Sequence, residues 1–91
     1  MTEIENLLMV RSSIWDRVEG LVQFPSGRWD LHMKHDILVR LPENEVERAL
    51  TRLEALDRET FILSRQVGVI DLRLSDRIGL IEKQIPETQS S

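Results

Sequence analysis

The stretch RWDLHMKHDILVRLPE, Arg28 to Glu43, decides the architecture. Its apolar residues alternate with polar ones in two runs, Trp29, Leu31 and Met33, then Ile37, Val39 and Leu41, separated by Lys34, His35 and Asp36. A period of two is the mark of a strand with one face against a core. If the three polar residues form the loop, Met33 pairs with Ile37, Leu31 with Val39 and Trp29 with Leu41, so all six apolar side chains share one face. A two-residue loop would bury Lys34 or Arg40 instead. The three-residue form needs a left-handed residue at its end, and Asp36 is acceptable in that role.

Working outward, Pro42 stops the second strand, and Asn44 with Glu47 three residues on reads as a capping-box-like start for a helix. Val46, Ala49, Leu50, Leu53, Leu56 and Thr60 then fall on one stripe, with Glu45, Glu47, Arg48, Arg52 and Glu54 largely outside it. Before the hairpin, GLVQF reads as a strand ended by Pro25 and Gly27, and Ile4, Leu7, Leu8, Trp15 and Val18 lie at helical spacing. That first helix has a break available at Ser12-Ser13, where Ser13 is placed to cap a short turn with Asp16 at its third position. After the long helix, Ile70, Leu72 and Leu74 alternate with Asp71 and Arg73. A loop of Ser75, Asp76 and Arg77 would set Leu74 opposite Ile78 and Leu72 opposite Leu80, making a second hairpin. The tail beyond residue 84 is short and polar, and residues 85–91 are expected to be disordered.

The order is helix, three strands, helix, two strands. The expected fold class is α+β, an antiparallel sheet with helices on one face, in a single domain over residues 1–84. Its core is expected to gather Trp29, Leu31, Val39, Leu50, Leu53, Leu56, Leu72 and Leu74.

Composition narrows the function. Ninety-one residues with 12 basic and 16 acidic side chains carry a formal charge of −4, unfavourable for nonspecific attraction to nucleic acid or anionic lipid. The basic residues make no stripe, and four aromatics, Trp15, Phe24, Trp29 and Phe61, are too few for a base-stacking platform. The absence of cysteine removes disulfides, thiolate metal sites and a cysteine nucleophile. No apolar run approaches the roughly 20 residues of a membrane helix, and MTEIENLLMV lacks the basic start of a signal peptide.

Chemistry-bearing constellations are equally sparse. His32 on the polar face of a strand and His35 in a loop have no evident third ligand, so both read as surface residues. The serines include no G-x-S-x-G, the acids offer pairs without a pocket-forming loop, and no Gly-rich strand-to-helix turn exists for a nucleotide. No catalytic residue, metal or cofactor is expected. The feature that asks for more is apolar: Val67, Val69 and Ile81, with Leu38 and with Arg73 facing Gly79, fall on the sheet face turned away from the core. Apolar residues there mark either a partner surface or scattered singles.

Four motifs in order carry a family resemblance: Arg28-Trp29-Asp30-Leu31, Val39-Arg40-Leu41-Pro42-Glu43, Ala49 to Asp57 (ALTRLEALD), and Ile70-Asp71-Leu72-Arg73. Together they resemble the C-terminal periplasmic β domain of the bacterial division protein FtsQ, called DivIB in Gram-positive bacteria, in its alphaproteobacterial form. The resemblance covers most of residues 4 to 82. It implies a non-enzymatic divisome scaffold, membrane-anchored in full-length relatives and facing the periplasm. Such a scaffold recruits FtsB (DivIC) and FtsL by adding a partner strand beside the last strand of the β domain. Relatives also carry a membrane helix, a POTRA domain and first strands that this sequence lacks before residue 4. On the same resemblance the partner-binding residues are Arg73, Leu74, Ser75, Asp76, Arg77, Ile78, Gly79, Leu80, Ile81 and Glu82. Arg73 falls on the motif arginine, a position associated with acidic partner residues, whereas Leu74 stands where several relatives have an aromatic. The competing expectation is a small stand-alone α+β domain that binds or transforms an unknown ligand.

Overall fold

A computed structural model describes residues 3–65, 67–74 and 76–82. Two short helices, α1 (Glu3–Met9) and α2 (Ser12–Trp15), precede strands β1 (Val18–Gln23), β2 (Trp29–Met33) and β3 (Ile37–Arg40). Helix α3 (Val46–Thr60) leads to β4 (Val67–Asp71) and β5 (Gly79–Glu82). The chain does break into two helices, but at Val10 and Arg11; Ser12 and Ser13, the expected place of the break, are the first residues of α2. Ser13 is not the cap: α2 begins at Ser12 and has no side-chain cap bond, and the Ser13 hydroxyl lies 3.5 Å from Glu54 Oε2.

The five strands form one sheet in the order β1-β2-β3-β4-β5. The central hairpin has the expected register, with Leu31 opposite Val39 and Met33 opposite Ile37. The Leu41 N–H extends the ladder by donating to the Trp29 carbonyl at 3.0 Å. In the loop both His35 (φ 67°) and Asp36 (φ 58°) are left-handed. Three of the four strand pairings are antiparallel, and β3 and β4 are parallel. Parallel neighbours need a crossover connection, which α3 supplies.

One core unites the layers. Ile4 and Leu8 from α1, Ile14 from α2 and Ala49, Leu50 and Leu53 from α3 are buried against Leu31, Met33, Ile37, Val39, Leu41, Ile70 and Leu72. Trp29 and Leu56 pack at its margin. Leu74 does not join it and is 57% exposed, contrary to its expected place. Two arginines tie the N-terminal helices to α3. Arg11 donates to Glu54 at 3.0 Å and to the Glu47 carbonyl, and Arg17 pairs with Asp57 at 2.8 Å. Asp57 in turn accepts the Leu63 N–H, holding the turn after the helix.

The capping box at Asn44 and Glu47 is not formed. Glu45 occupies the N-cap in a left-handed conformation (φ 58°) with no side-chain cap bond. The chain enters α3 through backbone geometry rather than a capping side chain, which no spacing rule signals. At the other end Phe61 is left-handed (φ 56°), and its N–H closes the helix on the Asp57 carbonyl.

Candidate functional site

Strand β5 is an outermost strand of the sheet, paired on one side with β4. Among the described residues no strand covers its other side. An edge of this kind exposes unpaired N–H and C=O groups along its length. Its side chains are open as well, with Leu80 48% and Ile81 60% exposed and both Gly79 and Glu82 at the surface. The helices bury the inner face of the sheet, so an incoming strand could contact both the edge and the uncovered outer face.

The final hairpin differs from its expected register by two residues. Asp71 pairs with Gly79, Ile70 with Leu80 and Val69 with Ile81, so Leu72 and Leu74 lie in the connection and do not pair with β5, although the Leu72 N–H still donates to the Arg40 carbonyl of β3 at 2.9 Å. Two hydrogen bonds account for the early exit. The Asp71 carboxylate accepts the Arg73 N–H at 3.0 Å, turning the chain locally, and Arg52 of α3 donates to the Leu74 carbonyl at 2.9 Å. Each offers the backbone a partner outside the sheet. Arg73 consequently does not face Gly79. A Cβ at Gly79 would meet the Asp71 Cβ at 3.4 Å, so the small residue accommodates Asp71.

The Arg73 guanidinium folds back on Asp71 through Nε at 3.0 and 3.2 Å and a terminal nitrogen at 2.7 Å. This bidentate grip holds the Asp71 carboxyl below the usual carboxylate range, opposed by partial desolvation, and the same contact raises Arg73. Asp76 and Arg77 are exposed and 3.6 Å apart. Ile78 is partly buried and packs against the core, so its side chain is not part of the open edge. Ser75 and residues 83–91 lie outside the described residues, and with them the expected disordered tail.

A β-bulge corrects another expectation. Between the pairs Val67–Glu82 and Val69–Ile81, β4 has one residue more than β5, namely Gly68. The extra residue turns Val67 to the inner side, where it is buried, whereas Val69 keeps its place on the outer face.

That outer face is ordered in rows. The strand registers align Val22, Asp30, Arg40, Asp71 and Gly79 in one row, and Gly20, His32, Leu38, Val69 and Ile81 in the next. The first row is a line of charge. Asp30 is buried beneath Arg28, whose guanidinium approaches it to 2.6 Å. Above the edge of α3 lies an open groove of about 610 Å³, bordered by Arg28, Arg48, Arg52, Arg73, Leu74 and Asp76. Its arginines are engaged with Asp30, Glu45, the Leu74 carbonyl and Asp71 respectively. Among the described residues no three His, Asp or Glu side chains come together as metal ligands. His32 and His35 are both exposed.

Comparison with known proteins is decisive for the family. The profile described as cell division protein FtsQ/DivIB, C-terminal, matches residues 2–73. The chain belongs to the FtsQ/DivIB C-terminal family. It is 47% identical over 64 residues to the cell division protein FtsQ of Rhizobium radiobacter, covering 70% of this chain and 30% of that protein. The match to FtsQ of Agrobacterium fabrum is also 47% over 64 residues, covering 70% of this chain and 20% of the relative. FtsQ of Dinoroseobacter shibae is 35% identical over 77 residues, covering 85% of this chain and 26% of the relative. The chain thus matches a third or less of the length of these FtsQ proteins. The family assignment makes it a domain of the kind found at the C-terminal end of the cell division proteins FtsQ and DivIB. The match ends at Arg73, so β5 lies beyond the matched segment.

Proposed function

We propose that this domain is a non-enzymatic divisome scaffold that recruits FtsB, together with FtsL, by accepting a partner strand beside β5 on the periplasmic side of the inner membrane. The observation that carries the reading is the position of β5, outermost in the sheet with Leu80 and Ile81 exposed. Strand addition takes affinity from backbone pairing and specificity from alternate side chains. Strand β5 supplies the backbone edge, and the exposed Leu80 and Ile81 supply side chains. Arg73 contributes a cation at the top of the edge, held by Asp71 in a pose that a partner carboxylate can share.

The test is binding of a purified soluble FtsB–FtsL pair to the parent and to two proline variants, Leu80→Pro and Ile81→Pro. Along an edge strand the N–H groups point alternately into the ladder and out to the free side, so one of the two substitutions removes an outward donor. That variant should keep its melting temperature and lose binding, and the other should lose stability. Arg73→Glu should weaken binding more than Arg73→Ala through repulsion. Undiminished binding by both proline variants would exclude the edge as the docking site, and absence of binding by the parent would exclude the partner.

A further inference from the structure

The charged row on the outer face holds two acids and one base, and each acid is already paired with an arginine from outside the row. Asp30 is taken by Arg28 and Asp71 by Arg73, while Arg40 stands between the two acids in the middle of the sheet. Arg40 is part-buried, its Nε is buried without a hydrogen-bond partner, and among the described residues it forms no ion pair. Asp71 feels its field without touching it at ion-pair distance. A guanidinium offers five donors in a planar fork suited to a carboxylate, and burying one donor without a partner is costly. Beside it in the next row, Leu38, Val69 and Ile81 make an apolar strip that runs to the β5 edge.

We infer that Arg40 is the centre of a second contact on the outer face, which receives a carboxylate from the segment of the partner that continues past the β5 edge. Charge complementarity chooses this occupant. Arg28 and Arg73 match the two carboxylates of the row and leave Arg40 over, so an approaching acid completes the row, whereas a base would meet Arg40 in the open position. The apolar strip leads from the free edge directly to that position, and an aliphatic residue of the partner packed on Val69 and Ile81 would exclude water from the ion pair. The inference rests on strand addition at β5 and extends it from an edge to a face.

The experiment uses the soluble FtsB–FtsL pair as probe against Arg40→Ala, Arg40→Glu and Arg40→Lys, each checked by melting temperature. Arg40→Ala is expected to weaken binding about 3- to 10-fold and Arg40→Glu more than 10-fold, with Arg40→Lys intermediate because it keeps the charge and loses the fork. Binding by the parent should weaken with added salt more steeply than binding by Arg40→Ala, a difference that a purely structural role would not produce. A partner variant with the matching acid changed to Lys should restore binding to Arg40→Glu. Equal affinity and equal salt dependence across the series would overturn the outer-face contact while leaving strand addition intact if the stably folded proline variant fails to bind. Absence of parent binding would overturn both together.

Discussion

Leu53 is fully buried between α3 and the sheet, in the cluster that joins Leu31, Val39, Leu50 and Leu72. Replacing it with Ala removes three carbons, a transfer loss of about 2.4 kcal/mol at ~0.8 kcal/mol per methylene. A residual cavity of roughly 50 Å³ adds about 1.2 kcal/mol at ~24 cal/mol per Å³, for a total near 3.5 kcal/mol. A domain of this length has a stability of about 5–14 kcal/mol, so the loss is a quarter or more of the whole. At about 4–8 °C per kcal/mol the melting temperature should fall by at least ~14 °C. Circular dichroism during heating and in urea gives the measurement, with two internal standards. Leu56→Ala, at the core margin, should cost about half as much, and Leu74→Ala, exposed in the connection, should stay within about 0.5 kcal/mol of the parent. A melting temperature for Leu53→Ala within ~3 °C of the parent, or a larger loss at Leu74 than at Leu53, would refute this packing of α3.

Phe61 is left-handed and 68% exposed, so its ring contributes little burial while its backbone carries strain. Phe61→Gly should stabilise the domain by about 0.5–1 kcal/mol, and Phe61→Ala, which keeps a Cβ at the same φ, should not; a glycine variant less stable than the alanine one in urea would contradict the left-handed cap. Asp71 should titrate below the ordinary carboxylate range because Arg73 favours its charged form. A depressed folded-state pKa adds stability that is complete above the unfolded-state value and is lost as pH falls through the folded-state one. NMR titration of the Asp71 carboxyl carbon should show that depression shrinking in Arg73→Ala, and titration at or above the ordinary value in the parent would rule out the bidentate pair.

The β2–β3 hairpin was legible from sequence because its contacts are local. Six apolar residues at period two and a three-residue polar loop admit one register that keeps Lys34 and Arg40 out of the core. The α3 stripe was legible for the same reason, since Ala49, Leu50 and Leu53 recur at helical spacing and are buried together. Family membership was also in the sequence, carried by four weak motifs in a fixed order and matched over residues 2–73. Where the chain leaves β4 was not legible. The alternation of Ile70, Leu72 and Leu74 continues past Asp71, but the pairing with β5 does not, because Arg52, 22 residues earlier in sequence, binds the Leu74 carbonyl and Asp71 captures the Arg73 N–H. Gly68 adds a bulge that reverses Val67, and α3 makes β3 and β4 parallel. Periodicity reports which residues seek a core. Which residues pair across strands is decided by polar contacts between distant parts of the chain, and those exist only once the helix and sheet have met.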